Sequence, residues 1–532
     1  MNPKTEVETT EHTEPTETEE EGNAGAELFP AVRSGSKPRL LPCVPWFSLS
    51  EFGLNAPTVS VRLVSELQIN MSQFTRPSRR QFIHASSLAT ISLLLAKRTG
   101  YAAKPRRISA SDKLNIAGVG VGGKGAGDIS ETSVGNNVVA LCDVDDNTLA
   151  GSLKKYPGAK TYHDWRRLLE QGDIDAVTVS TPDHMHAPVA MAAMQLGKHV
   201  YVQKPMTHTI YEARTLTAAA KRYGVVSQMG NQNHSGPGYR TLVKAIQSGV
   251  IGKVKEAHAW SNRPIWPQGH ARPQGSDPVP AHLHWDLWLG VAPFRPFVET
   301  KPDAKDKKDR GPSHPGRGPY HPFAWRGYLD FGVGALGDMG CHIIDPVFWS
   351  LGLNAPVRVW SEGPVTNGET FPEWETIRYE FPSTRYTAGK TVMMTWYDGG
   401  KLPPRELVPL PENEKTPTNG CLLIGEKGTL LCEHSKMPVL LGAAADAKME
   451  TIEGDNHYQQ WTNACKGQGK ATAHFDYSGP LTETVLLGTI AVRFPNQKLE
   501  WNSSKLKFGN VAEANQFVHK KYRAGWEVKG LA

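Results

Sequence analysis

Cysteine is scarce: six residues among 532 (Cys43, Cys142, Cys341, Cys421, Cys432 and Cys465) stand far apart and never as CxxC. That excludes a disulfide-built scaffold and a zinc ribbon. The apolar stretch Ala85 to Ala96 has only twelve residues and is broken by Ser and Thr, where a membrane-crossing helix needs about twenty. Basic clusters are also missing. The net charge of +6 divides into −6 over residues 1–70, +5 over 71–103 and +7 spread thinly over 104–532, so no nucleic-acid partner is indicated. What remains is 39% hydrophobic and 21% charged, an ordinary globular composition long enough for two to four folded units at roughly 100–200 residues each.

Residues 1–22 are almost entirely Glu, Thr and Pro, with eight glutamates; such a segment buries too little apolar surface to offset its ordering entropy. Glu27 to Asn70 shows no sustained helical or strand pattern, and residues 1–70 are expected to be a disordered or dispensable extension, or a stretch wrongly assigned ahead of a true start at Met71. Residues 71–103 then run basic, apolar, small: Arg79-Arg80, the stretch from Ala85, and Ala102-Ala103. That order is an export signal. Ser-Arg-Arg-Gln-Phe-Ile resembles the twin-arginine type, with His84 where such signals usually carry Lys. The expectation is a periplasmic protein whose mature chain starts near Lys104; the alternatives are anchoring by an uncleaved signal, or a plain buried helix.

From Asp112 the pattern becomes that of a folded domain. A short apolar strand runs into Gly120-Val-Gly122-Gly-Lys-Gly125, a G-x-G-x-x-G loop; Gly118, Gly120 and Gly123 offer a second register. Glycines there allow a tight turn, close approach to a pyrophosphate and helix–strand packing, and the following helix turns free N–H groups toward phosphates. A plain flexible turn would use the same residues. A second strand, however, ends at Asp143, 23 residues after Gly120, near the spacing of about 20 for a carboxylate that binds the adenosine ribose diol. Its charge favours NAD over NADP. Strands then alternate with helices through residue 229, which predicts right-handed βαβ units and a doubly wound parallel sheet over 112–235.

Ser180-Thr-Pro-Asp-His-Met-His186 and Gly197-Lys-His-Val-Tyr-Val-Gln-Lys-Pro205 resemble the glucose–fructose oxidoreductase / inositol dehydrogenase (Gfo/Idh/MocA) family, whose members carry a TP-x-x-x-H loop followed by GKHV-x-x-EKP. The resemblance spans about 112–525. It implies a Rossmann domain that holds NAD, with NADP the alternative, through Gly120, Gly122, Gly125, Asp143, Thr181, Pro182, His186, Lys204 and Pro205. Lys204 would stand at the nicotinamide. Gln203 replaces the usual Glu and removes a charge beside it.

The second domain, 236–530, is expected to be α+β. Gly230-Asn-Gln-Asn-His-Ser should form the crossover where a cleft opens, making Asn231 and Asn233 candidate substrate contacts. Residues 262–330 are rich in Pro, Trp, Arg and His without periodicity, as functional loops often are. Trp325, Arg326, Tyr320 and His321 suit polyol contacts, although packing roles fit them as well. In GALGDMGCHIIDPVFWSLG, Asp338, His342 and Asp345 fall at i, i+4 and i+7, on one helical face. Removing hydride from a sugar alcohol also needs a base of near-neutral pKa at the hydroxyl, and imidazole suits it. The resemblance makes His342 that base, Asp338 its partner and Lys204 the donor polarising the reacting oxygen; Asp345 is a further substrate contact or a structural residue. A metal set or a buried network would use the same residue types, but the glycine loop and Lys204 favour redox chemistry, so no metal is expected. Downstream alternating runs read as strands of a larger sheet; the resemblance implies that this sheet is open and mainly antiparallel, with an outer face that in relatives often mediates dimer or tetramer formation.

The reading is an exported NAD(P)-dependent oxidoreductase acting on a sugar or polyol with a tightly held nucleotide. The alternatives are an NAD-dependent glycosidase or lyase without net redox change, and an inactive carbohydrate-binding relative, to which Gln203 points.

Overall fold

The computed structural model describes residues 104–299 and 318–531. The expectations for residues 1–70 and 71–103 lie outside these, as does the 300–317 part of the expected loop.

Strands β1 (Asn115–Val119), β2 (Asn137–Cys142), β3 (Lys160–Tyr162), β4 (Ala176–Val179), β5 (His199–Gln203) and β6 (Ser227–Gly230) form a six-stranded sheet in the order β3-β2-β1-β4-β5-β6. Every pairing is parallel. The strands are short apolar runs because helices cover both faces; β4 and β5 are buried throughout. The order reverses between β1 and β4, so a ligand crevice opens outside their carboxyl ends.

The second sheet has nine strands: β7 (Val254–Trp260), β8 (Arg358–Glu362), β9 (Thr376–Pro382), β10 (Thr391–Tyr397), β11 (Gly420–Gly425), β12 (Thr429–Glu433), β13 (Val439–Leu441), β14 (Leu499–Asn502) and β15 (Lys507–Phe508), ordered β13-β12-β11-β7-β10-β9-β8-β14-β15. Only β7 and β10 pair in parallel. The expected architecture is thus present: a doubly wound sheet followed by a large, mainly antiparallel one.

Three features differ from the sequence expectations. The described parts of 262–330 are no loose loop: Trp285, Trp288, Tyr320, Trp325, Tyr328 and Phe331 form a compact apolar cluster, and aromatic side chains can build such a core without periodicity because each buries so much area. The predicted helix through Asp338, His342 and Asp345 divides into Gly334–Ile343 and Asp345–Leu351. Pro346 has no N–H to offer the His342 carbonyl, so the ladder breaks there although Ile344 keeps helical angles. Finally, segments beyond residue 236 return to the first sheet: Tyr458, Trp461 and Cys465 of the His457–Cys465 helix pack with Leu114, Ile116 and Tyr201. Among the described residues, no helix is long and apolar enough to cross a membrane.

Candidate active site

The glycine loop leaves β1 at the point where the strand order reverses. A Cβ on Gly120 (φ +76°) would lie 2.6 Å from the Ser180 carbonyl oxygen, and one on Gly125 only 1.9 Å from that of Gly120. A Cβ on Gly123 would meet nothing within 4 Å. Gly123 is held to glycine by its backbone (φ +49°) and Gly125 by its contact with the loop itself, the close approach that the Gly120, Gly122, Gly125 register calls for. The Lys124–Ser133 helix starts inside the loop with no side-chain cap and no acidic residue in its first turn, which leaves its dipole end open to an anion. Asp143 follows β2; its carboxylate accepts from the backbone N–H groups of Val121 (2.9 Å) and Asp145 (3.0 Å), and burial pushes its pKa up to about 6. The Thr181 hydroxyl, just past β4, is buried with no hydrogen-bond partner among the described residues. A cradle closed to side chains, a bare helix start, a carboxylate and an orphaned hydroxyl at one crevice fit a dinucleotide.

Lys204 and Pro205, joined by a cis peptide bond, continue from β5 to the same crevice. The Lys204 ammonium donates to Asp338 twice, to Oδ1 at 2.8 Å and to the backbone carbonyl at 2.7 Å. An ammonium has three N–H donors, so one is left without a partner among the described residues. Asp338 also faces Arg326 (3.4 Å) and Arg263 (3.5 Å). Burial alone would raise its pKa, but the Lys204 and Arg326 charges outweigh that and hold it well below the usual carboxylate range. The ion pair joins the two domains: Lys204 directly follows β5 of the first sheet, and Asp338 belongs to the Gly334–Ile343 helix of the second domain.

Gln203 has a local explanation. Its amide Nε2 donates to Asp128 Oδ2 at 2.8 Å, and fully buried Asp128 also accepts from Ser180 Oγ (2.7 Å) and Tyr458 OH (3.1 Å). A glutamate at 203 would set two carboxylates against each other. Gln203→Glu is therefore expected to destabilise the fold by about 1–3 kcal/mol. Adding Asp128→Asn should restore stability. Chemical denaturation checks both.

His342 lies one helical turn beyond Asp338. Contrary to expectation, Asp338 does not pair with it: the carboxylate is drawn to its three cations, and His342 Nδ1 is buried without a partner among the described residues. Burial, and next the Lys204 charge, lower the His342 pKa well below that of a free imidazole. The His434 ring lies 5.6 Å from it, centroid to centroid. His434 accepts from Asn233 Nδ2 (3.3 Å) and so donates from Nδ1 to the Tyr239 hydroxyl (2.8 Å). Burial, with Lys204 and Arg263 nearby, lowers its pKa to about 4. Asn231 is fully buried, and both its amide atoms lack partners among the described residues.

Other expected contacts fall elsewhere. His186 is buried with Nδ1 2.8 Å from the Pro205 carbonyl oxygen and Nε2 2.8 Å from that of Thr181; its single N–H can donate to one of them, and its ring is wedged between the Thr181–Pro182 loop and the Lys204–Pro205 turn with neither nitrogen turned to a cofactor. Trp325 and Tyr320 are buried in the aromatic cluster, and His321 lies 3.1 Å from Asp145. Asp345 is fully buried and accepts from His234 (3.0 Å) and from Tyr477. With Asp338 turned to cations and Asp345 to His234, the three helix residues do not form a common ligand set. Arg326 does join the site, stacking 4.4 Å from the Trp325 ring as it reaches Asp338. Sequence reasoning missed Arg263, His434 and Asp183. Burial raises the Asp183 pKa to about 7 even though Arg326 and Lys204 oppose this; its place inside the Thr-Pro-x-x-x-His loop was the one available signal.

These features define the class, a two-domain dinucleotide-binding protein with a charged site where the domains meet. Residues 113–231 match the model of the oxidoreductase family's NAD-binding Rossmann fold, and residues 239–395 match that of its C-terminal alpha/beta domain. The chain belongs to the Gfo/Idh/MocA oxidoreductase family. It is 31% identical over 149 residues to inositol 2-dehydrogenase of Salmonella typhimurium, covering 27% of this chain and 44% of that one. It is 24% identical over 208 residues to a glycosyl hydrolase family 109 protein of Shewanella pealeana, covering 34% and 45%. The chain thus spans about half the length of the curated relatives it matches. The fold is also that of the WlbA dehydrogenase of Chromobacterium violaceum, solved with NADH and UDP-GlcNAcA: 15% identity, a TM-score of 0.50, and coverage of 75% of this chain and 98% of that one.

Proposed function

We propose that the protein is an exported dehydrogenase that oxidises or reduces a sugar or polyol at the Lys204–His342 site. NAD, when bound, supplies the hydride acceptor or donor. The observation that carries the reading is the Lys204–Asp338 ion pair across the two domains, with one ammonium donor left over. Asp338 holds the ammonium in place; the remaining N–H polarises the substrate oxygen. His342, neutral because of its burial, takes the hydroxyl proton. Asn231 and His342 Nδ1, which have no partner among the described residues, gain partners from substrate hydroxyls. The test is turnover on a panel of monosaccharides, uronates and inositols with nicotinamide absorbance followed.

Asp143 gives the binding step a pH dependence. Its pKa is about 6 in the free protein, and a ribose diol donates to the ionised form. Nucleotide affinity is therefore expected to fall as pH drops through 6, and binding near that pH to release protons. Calorimetry in buffers of different ionisation enthalpy measures the release, which Asp143→Asn should abolish.

A redox-neutral glycosidase is the second reading, favoured by the glycosyl hydrolase relative. Release of a glycone with no net change in nicotinamide absorbance would select it. The proposal includes export through residues 71–103, a nucleotide held through each cycle, and a dimer or tetramer. N-terminal sequencing of the exported form, nucleotide release on denaturation, and light scattering test these in turn.

A further inference from the structure

A second cluster lies beside Asp143 and shares no residue with the site above. Asp146 opens the Asp146–Lys155 helix, His163 follows β3, and His284 comes from the second domain. His163 Nε2 lies 3.4 Å and His284 Nε2 3.3 Å from one oxygen, Asp146 Oδ1. The two rings stack with centroids 4.0 Å apart, and the three ligand atoms all lie within 4.8 Å of one another.

The outer bonds orient this set. His163 Nδ1 is 3.1 Å from the Asp143 carbonyl oxygen. A carbonyl only accepts, so Nδ1 carries a proton, and Nε2 is the nitrogen turned toward the Asp146 carboxylate. Two acceptors stay together only with a proton or a cation between them. Metal-bound histidines are commonly fixed through the other ring nitrogen in this way. The charge balance agrees: the ion-pair partners of Asp145 and Asp146 are all imidazoles, from His163, His282, His284 and His321. Among the described residues no Lys or Arg pairs with either carboxylate. The side chains of Asp146, His163 and His284 are 47%, 39% and 38% exposed, so an ion can enter from solvent and keep water ligands.

We propose that His163 Nε2, His284 Nε2 and Asp146 Oδ1 bind one first-row divalent transition-metal ion. Two imidazoles and a carboxylate suit such ions, zinc and cobalt included. The site would also act as a clasp. The second-domain segment already lies along residues 144–146, with His284 N–H donating to the Val144 carbonyl and Asp146 N–H to that of His282, each at 2.9 Å. A metal ion would fasten that segment over the loop following Asp143.

The test is titration of metal-stripped full-length protein with Co²⁺, followed by its ligand-field absorbance, and with Zn²⁺ by calorimetry. One equivalent per chain is expected. His163→Ala and His284→Ala should each weaken binding by more than the roughly 10–100-fold that losing an outer-shell partner costs. His282→Ala, whose imidazole faces Asp145, should keep the site. Zn²⁺ should raise the melting temperature of the wild type and not of His163→Ala. Absence of binding, or equal binding by the His163→Ala/His284→Ala double variant, overturns the proposal.

Discussion

Replacing Lys204 with methionine lowers kcat by about 10²–10³-fold while leaving nucleotide affinity near that of the wild type. The magnitude is that of losing one preorganised donor at an oxygen that gains charge in the transition state. Methionine keeps an unbranched four-atom stem and removes the ammonium. Asp338 retains Arg326 and Arg263 at 3.4 and 3.5 Å, so the carboxylate is not stranded and the fold should survive. Arginine is a poor substitute, since its planar fork cannot place one donor on the Asp338 carbonyl, one on its carboxylate and a third on substrate. Steady-state kinetics with fluorescence-monitored nucleotide binding separates the two effects. Unchanged turnover in Lys204→Met removes Lys204 from the chemistry.

His342→Asn should cost about 10²–10⁴-fold in kcat, the range for a positioned general base. Its signature is in the pH profile. Burial and the Lys204 charge hold the His342 pKa well below that of a free imidazole, so the ring is an available proton acceptor through the neutral range. Wild-type kcat should therefore persist below pH ~6.5, the ordinary imidazole value, and fall only once pH passes beneath the depressed pKa. The Asn variant should lose that acid limb as well as the rate. A variant that keeps the limb assigns it to another group, of which His434, with a pKa of about 4, is the neighbour to test next.

The candidate site was legible where its residues sit in contiguous motifs. Lys204 closes a strand in a GKHV-type segment, and Asp338 and His342 share one helical turn, so periodicity alone brings them near each other. The glycine loop was legible as a type but not in register: the 1.9 Å approach of a Gly125 Cβ to the Gly120 carbonyl shows only in the fold. Arg263 and His434 enter from the ends of β7 and β12, where no spacing rule marks them and tertiary pairing alone brings them to the site. The pairing of Asp338 with His342 was misread because helical spacing reports proximity within one element, while three cations from elsewhere in the chain compete for the carboxylate. Trp325 and Asp345 carry polar or aromatic groups of the right type, yet the aromatic cluster and His234 claim them first. The meaning of Gln203 was hidden for the same reason: its partner, Asp128, lies on a different helix.

In the proposed reaction Lys204 and His342 act together on a substrate hydroxyl beside bound NAD. The most direct measurement is rapid mixing of nucleotide-loaded protein with polyols, carbon-deuterated and not, while nicotinamide absorbance is followed. The account predicts substrate-dependent reduction that slows on deuteration and is lost in both Lys204→Met and His342→Asn. Reduction at the wild-type rate in both variants, or a bound nucleotide whose redox state never changes with any polyol, would contradict it.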